Sequence, residues 1–459
     1  MKRFLTLLFT TVLLCAALCV SASASDFDAA AKELSGIGMF RGTANGFELD
    51  RAPTRSEAAI MLVRLYGAEE KAKSAYESGE LTHPFTDVSA FTSPYVAWLY
   101  QQGIVNGTSA TTFGSSRKCS AQNYVAFLLR ALGYQDGKDF QYADALTFAK
   151  EKGFYDASMF PGDFLRDDLA ALTYQALAAD TADGKTYLLD TLIRSGAVDA
   201  TAAKSLTDKI TAYRAMTAAT SSSNNKAMDL SMDATMNTTM TVDGETISLP
   251  ATITGSMKMR TEDGIQAAYS LQTQADGVSV QTDTWLKDNW VYCRSVSDGE
   301  ESKIKYSVED ELEALNAMSV VDISAMDVSG LAMLDSISVK QVGSSKEYTV
   351  VIGSGIDGMM SGALTALGDS DSMDLHLGKI TATYTVGASG VLQKIHMTFG
   401  ASLKLNLPEG NSPAVPVSAA YEYDMTMTVN ATGSAVNITF PDFSDYQEVN
   451  AVSVSGVAA

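Results

Sequence analysis

The sequence predicts a multidomain α plus β protein. The N-terminal half reads as an all-α unit of three repeats, and the C-terminal half as a curved antiparallel β-sheet, a half-barrel, with two helices. Three observations carry this prediction. Segments near residues 54, 120 and 165 superpose without gaps and share helical apolar spacing. A Ser/Asn/Thr tract, TAATSSSNNK, occupies 217–226 and reads as a flexible linker. Beyond it the apolar residues alternate with period two. The expected organisation is a leader at 1–24, a helical region at 25–216, a linker at 217–226, a β-rich domain at 227–447 and a tail at 448–459. The helical region divides into repeats at about 26–80, 81–138 and 139–200, with a helix following.

The leader opens with Lys2 and Arg3, runs apolar from Phe4 to Val20, and exits through Ala22-Ser23-Ala24. This is the pattern of a cleaved secretory signal. Leu14 precedes Cys15 and Leu18 precedes Cys19, so the small residue of a lipoprotein site is missing. No later segment has the roughly 18 consecutive apolar residues of a membrane span. With 33 Lys+Arg against 54 Asp+Glu the net charge is −21, and removing the two leader cations leaves −21 − 2 = −23. Such a chain repels polyanions, which argues against nucleic-acid binding and requires a local basic pocket for any anionic ligand.

Each repeat reads as helix, glycine stop, loop and capped helix. The glycine stops are Gly38-Met39-Phe40-Arg41-Gly42, Gly103-Ile104-Val105-Asn106-Gly107 and Gly153-Phe154-Tyr155-Asp156. The capped helices begin at Thr54-Arg55-Ser56-Glu57, Ser120-Ala121-Gln122-Asn123 and Leu165-Arg166-Asp167-Asp168. Their apolar stripes fall at matching offsets: Ala59, Leu62, Val63, Tyr66; Val125, Leu128, Leu129, Leu132; Ala170, Thr173, Tyr174, Leu177. No such helix buries its stripe alone, but three can pack around one axis. Thr54 and Glu57 form a capping box, which gives Glu57 a structural role. Asp87 caps or braces a loop or touches a ligand, and Trp98 and Tyr95 either pack in their helix or edge a groove.

These residues resemble the S-layer homology domain. The resemblance rests on Phe85-Thr86-Asp87-Val88, Trp98, Gly103–Gly107, Thr112-Phe113 and Arg130-Ala131-Leu132-Gly133 in repeat two. In repeat one it rests on Thr54–Glu57 and Arg64-Leu65-Tyr66-Gly67. The resemblance implies non-covalent docking on a pyruvylated secondary polysaccharide of a Gram-positive cell wall, in grooves between repeats, and hence a secreted, wall- or S-layer-associated protein. It places Arg55 and Arg166 against the polymer's carboxylate, with Glu57, Asp87, Gly107 and Trp98 as further groove residues. Ala121 and Asn123 depart from the pattern, so the groove of repeat two is expected to be weakened, and Leu165 and a short loop put repeat three in question. A carboxylate in such a groove would meet both a guanidinium and free helix N-terminal amides.

In the C-terminal half, Met228 through Val242, Met397 through Leu407 and Tyr421 through Val429 alternate as half-buried strands. Asp243-Gly244, Asp263-Gly264 and Asp276-Gly277 mark turns, and helices are expected at 307–318 and 359–367. Fifteen of the 20 methionines lie here, as ordinary core or as the lining of an adaptable apolar cavity. The pattern, with Trp285-Leu286-Lys287-Asp288-Asn289-Trp290-Val291-Tyr292 as a hairpin, resembles LolA-like lipoprotein carriers, which would imply a hydrophobic ligand. Gly353-Ser354-Gly355-Ile356-Asp357-Gly358 has dinucleotide-loop spacing, but antiparallel alternation around it speaks against a nucleotide site. Histidines occur only at 83, 376 and 396 without metal spacing, and no nucleophile elbow or zinc-protease helix occurs. Cys119 and Cys293 cannot form a disulfide framework. No cofactor is expected, and a non-enzymatic anchor is the reading. An apolar-ligand carrier and a structural surface-coat component are the alternatives.

Overall fold

The structure, a computed structural model, describes residues 27–160, 162–223, 227–242, 245–261, 264–308, 328–353, 373–409 and 412–449. The leader lies outside them. So do the two expected C-terminal helices, apart from residues 307 and 308, and residues 354–358 of the glycine motif. The chain forms two compact units: helices through Arg214 together with Asp327–Asp335, and the remainder from Ala215.

The helical unit contains α1 (Asp28–Gly36), α2 (Arg55–Leu65), α3 (Glu69–Glu77), α4 (Ser93–Gln101), α5 (Ala121–Ala131), α6 (Ala145–Glu151), α7 (Arg166–Ala178) and α8 (Leu188–Arg194). Helix α9 (Lys204–Ser223) follows. The repeat boundaries come from capping chemistry. Thr54 accepts from the Glu57 amide while the Glu57 carboxylate accepts from the Thr54 amide, a complete capping box. Ser120 caps α5 through the Asn123 amide. Leu165 has no hydroxyl to offer, so only the Asp168 carboxylate contributes, accepting from the Leu165 amide at 2.7 Å. Gly38, Gly103 and Gly153 end the first helix of each repeat at φ +78°, +69° and +74°, a conformation that favours glycine.

The capped helix of each repeat packs against the first helix of the next: α2 on α4, α5 on α6, and α7 on α1. The series closes into a ring. The stripes predicted from sequence are buried, with Leu62, Val125, Leu129, Ala170 and Leu177 wholly so, and α5 packs on α7. Tyr124 of α5 reaches Thr173 of α7, hydroxyl to hydroxyl at 2.6 Å, so the residue that weakens the third stripe is satisfied there.

Two features depart from expectation. Residues 217–223, expected as linker, are helical and end α9. Alanines favour helix there, and the Thr220 hydroxyl returns to the Met216 and Thr217 carbonyls, removing its demand for water. The second departure is a strap, residues 328–335, which falls within the β-rich half of the sequence but packs on α7. Its Ser329 amide donates to the Gly153 carbonyl, and its Ser329 carbonyl accepts from Gln175 at 2.5 Å. Lys209 donates to the Leu334 carbonyl. Leu331, Ala332 and Leu334 are fully buried, and α7 is buried along its whole length.

The second unit is an open, curved, antiparallel sheet. Its strands are β1 (Ala227–Val242), β2 (Glu245–Arg260), β3 (Gln266–Ala275), β4 (Val278–Lys287), β5 (Trp290–Ser297) and β6 (Glu300–Ser307). They continue as β7 (Leu334–Val342), β8 (Ser345–Ile352), β9 (Met373–Leu377), β10 (Ile380–Val386), β11 (Leu392–Glu409), β12 (Ser412–Thr432) and β13 (Gln447–Glu448). The order is β13-β6-β5-β4-β3-β2-β1-β12-β11-β10-β8-β7, with β9 on β11 and only β13 parallel to its neighbour. Hairpins β3–β4 and β4–β5 turn on Asp276-Gly277 and Asp288-Asn289, all at positive φ, the twist that tight antiparallel hairpins need. Near the C-terminus, Phe443 stacks on Tyr292 with ring centres 3.7 Å apart and Tyr446 packs edge-on, covering β4 and β5.

Candidate functional site: the seams between repeats

Arg55 is 7% exposed. It leaves the first turn of α2 and enters the second repeat, where Nε donates to the Phe113 carbonyl at 3.0 Å, Nη1 to Asn123 Oδ1 at 2.7 Å and Nη2 to the Asn106 carbonyl at 3.2 Å. Its guanidinium lies over the Phe113 and Phe127 rings. Arg166 repeats this one seam back. Its Nε donates to the Phe47 carbonyl at 3.0 Å, Nη1 donates to Glu57 Oε1 at 3.0 Å, and it lies over Phe40. Asn123 and Glu57 occupy the same offset in their repeats, as do Phe113 and Phe47 in their loops. The two seams are therefore built on one plan.

The main chain follows the plan as well. Arg55 and Ser56 amides donate to the Arg117 and Ser115 carbonyls, and Arg166 and Asp167 amides donate to the Arg51 and Leu49 carbonyls. The expectation of free helix N-terminal amides at the groove is thus corrected. The loop of the next repeat already takes them, as buried donors require.

Residues 84–120 match the S-layer homology domain family. The chain carries an S-layer homology repeat. Among curated proteins, it is 29% identical over 115 residues to an endoglucanase of Bacillus sp. (strain KSM-635), a stretch covering 22% of this chain and 12% of that one. It is 29% identical over 114 residues to the middle cell wall protein of Brevibacillus brevis, covering 24% of this chain and 10% of that one. The matched stretches thus span about a tenth of these relatives. A crystal structure of a DUF1329 family protein from Desulfovibrio piger aligns with 52% of this chain and 97% of its own, at 8% identity and a TM-score of 0.17. The S-layer homology match indicates a cell-surface or cell-wall location. Among the described residues no helix is long and apolar enough to cross a membrane.

Within the matched repeat, Asp87 is exposed yet fully used. Its carboxylate accepts from the amides of Phe113, Gly114 and Ser115 at 2.6, 2.7 and 3.1 Å. Partial burial would raise its pKa, but these three donors outweigh it and hold the carboxyl below its ordinary value. Asp87 thereby fixes the Phe113 carbonyl that Arg55 reaches. Gly107 belongs to the same loop, and a Cβ there would meet Phe85 at 2.4 Å and the Ser109 and Thr112 carbonyls at 2.4 and 2.6 Å. Trp98 is half-buried and packs on Tyr66 of the first repeat with ring centres 5.4 Å apart. The structure thus brings Arg55, Asp87 and Gly107 to one seam and Arg166 and Glu57 to another, with Trp98 against Tyr66.

Glu57 holds more than its helix cap. Arg51 donates to both of its oxygens, at 2.6 and 3.0 Å, and Arg166 joins them. Burial opposes ionisation, but these cations and the Thr54 amide bring its pKa down to about 2. Arg51 is a groove residue that the repeat motifs do not single out, although Arg51 and Arg117 each stand four residues ahead of the position that Arg55 and Ala121 hold. At the third seam Ala121 supplies no guanidinium. There Asp168 is 7% exposed, and burial raises its pKa to about 6 against the single Leu165 amide.

The sheet unit carries a concavity of about 900 Å3 whose lining includes Met236, Ala251, Ala275 and Tyr423 among polar Thr235, Asn237 and Gln274. Among the described residues no group of three or more His, Cys, Asp or Glu side chains is placed to hold a metal ion.

Proposed function

We propose that the helical unit anchors the protein non-covalently to the cell wall. It does so by gripping an anionic, pyruvylated secondary wall polysaccharide in the seams between its repeats, and it displays the sheet unit from that anchor without catalysing a reaction. In this reading Arg55 and Arg166 supply the positive charge, and Glu57, Asp87, Gly107 and Trp98 shape the walls around them. The observation that carries the reading is the closed ring of three repeats with an arginine inserted across two of its seams. Local cation placement of this kind lets a chain of net charge −21 hold an acidic polymer. Cosedimentation of the full-length protein with purified cell-wall sacculi tests it. Retention is expected on intact walls and loss on walls stripped of their secondary polysaccharide, and equal retention on both contradicts the reading.

A second reading, for the sheet unit, makes it a carrier of an apolar ligand. The concavity lined by Met236, Ala251 and Tyr423 favours it. Organic extraction of the purified protein followed by mass spectrometry tests this, and an extract free of stoichiometric apolar molecules contradicts it.

A further inference from the structure

The three seams share a plan but differ in charge. At the seam of repeats three and one, Arg166 is matched by Glu57, which Arg51 also engages. At the seam of repeats one and two, Asn123 stands where Glu57 stands, and Arg55 donates only to neutral acceptors. Among the described residues no carboxylate lies in ion-pair range of Arg55, and the charged side chains whose fields act on it, Arg117 and Arg130, are cations. Arg117 is exposed, and Arg130 is engaged by Asp136. At the seam of repeats two and three, Ala121 offers no cation and Asp168 is the buried charge.

We infer that Asn123 is the specificity-determining residue of the anchor: by leaving Arg55 without a counter-ion, it makes the seam of repeats one and two the one that takes the carboxylate of an acidic wall sugar. The inference rests on the anchoring reading above. It reverses the sequence-based expectation that Asn123 marks a weakened groove. A guanidinium has five N–H groups, and Arg55 spends three of them on neutral oxygens, so two are not taken up by the described residues. A buried cation without a counter-ion is costly, and an incoming anion relieves that cost. At the neighbouring seam Glu57 already neutralises Arg166 from within the chain, so an incoming carboxylate gains less from that cation. At the third seam Ala121 offers a carboxylate no guanidinium.

The test uses the full-length protein and Gram-positive wall sacculi that carry a pyruvylated polysaccharide. Asn123→Glu installs at the first seam the pair that Arg166 and Glu57 make at the other. Its affinity for the sacculi is expected to fall at least about tenfold, with a thermal midpoint equal to or above that of the parent. Asn123→Gln, neutral and of the same length as Glu, separates charge from length: it is expected to bind at least about fivefold more tightly than Asn123→Glu, and an equal loss in both variants overturns the inference. If Asn123→Glu does not fold, Asn123→Asp carries the same test. A folded acidic variant that binds as tightly as the parent overturns the inference while leaving the anchoring reading intact. A parent protein that fails to bind the sacculi overturns the anchoring reading itself.

Discussion

Arg166 and Glu57 meet at 3.0 Å across the seam that closes the ring of repeats, joining the last repeat to the first. Three roles converge on Glu57: capping α2, anchoring Arg51 and receiving Arg166. Its carboxyl titrates near 2 in the fold against an ordinary value of 4.5. A depressed pKa contributes stability that is fully present above the unfolded value and is lost as pH falls through the folded one. Unfolding followed by circular dichroism should therefore show stability declining below about pH 4.5. Glu57→Ala should cost about 3 kcal/mol at pH 7 and flatten that decline. An unchanged acid limb in the variant would contradict this assignment.

Asp168 has the opposite sign. Burial raises its pKa to about 6 from an ordinary 3.8. Its protonated form is thus favoured by folding, and the associated stability, present below about pH 4, is lost as pH rises through about 6. Asp168→Asn keeps an acceptor for the Leu165 amide and removes the charge. It should raise the thermal midpoint at pH 7.5 by a few degrees, about 1 kcal/mol, and make no difference at pH 4. Destabilisation at pH 7.5 would show that a cation approaches this seam.

The loop that presents the Phe113 carbonyl to Arg55 is held from two sides. Asp87→Ala removes the acceptor of three amides and should cost about 2 kcal/mol. Gly107→Ala drives a Cβ into Phe85 and two carbonyls and should cost a similar amount, about 2 kcal/mol. Both are read from chemical denaturation of the full-length protein, and a neutral effect of either would contradict the packing described.

The strap binds where the other repeats use arginine. Gln175 stands at the helix offset of Arg64 and Arg130, and it reaches the Ser329 carbonyl. A Cβ at Gly330 would approach the buried Tyr213 hydroxyl at 2.6 Å. Gly330→Val should therefore loosen the strap and speed amide exchange in 328–335 and along α7, with little change in β11 and β12. Equal exchange in parent and variant would contradict the strap's role in completing the third repeat.

Much of the ring was legible because its signals are local. The stripe from Ala59 to Tyr66 and the capping box at Thr54 and Glu57 repeat at fixed offsets, and period and cap chemistry are written in neighbouring residues. The alternation from Met228 to Val242 likewise became β1, paired with β2 and β12. Arg55 was legible as a position but not as a geometry. Its partners Asn106, Phe113 and Asn123 lie 51 to 68 residues away, and two of them are backbone carbonyls that no residue type announces. The strap was hidden for the same reason: Val328 to Leu334 has no helical or alternating period, and its partner Gln175 is 154 residues from Ser329. The helical end of α9 was missed because Ser, Thr and Asn dominate 217–226 in composition, while the alanines before them set the conformation.

In our proposal an acidic wall sugar is held at the seam of repeats one and two. The most direct measurement is a crystal structure of the full-length protein soaked with a pyruvylated monosaccharide. The pyruvyl carboxylate is expected in contact with the Arg55 guanidinium beside Asn123. Occupancy only at the Arg166–Glu57 seam, or only on the sheet unit, would contradict it.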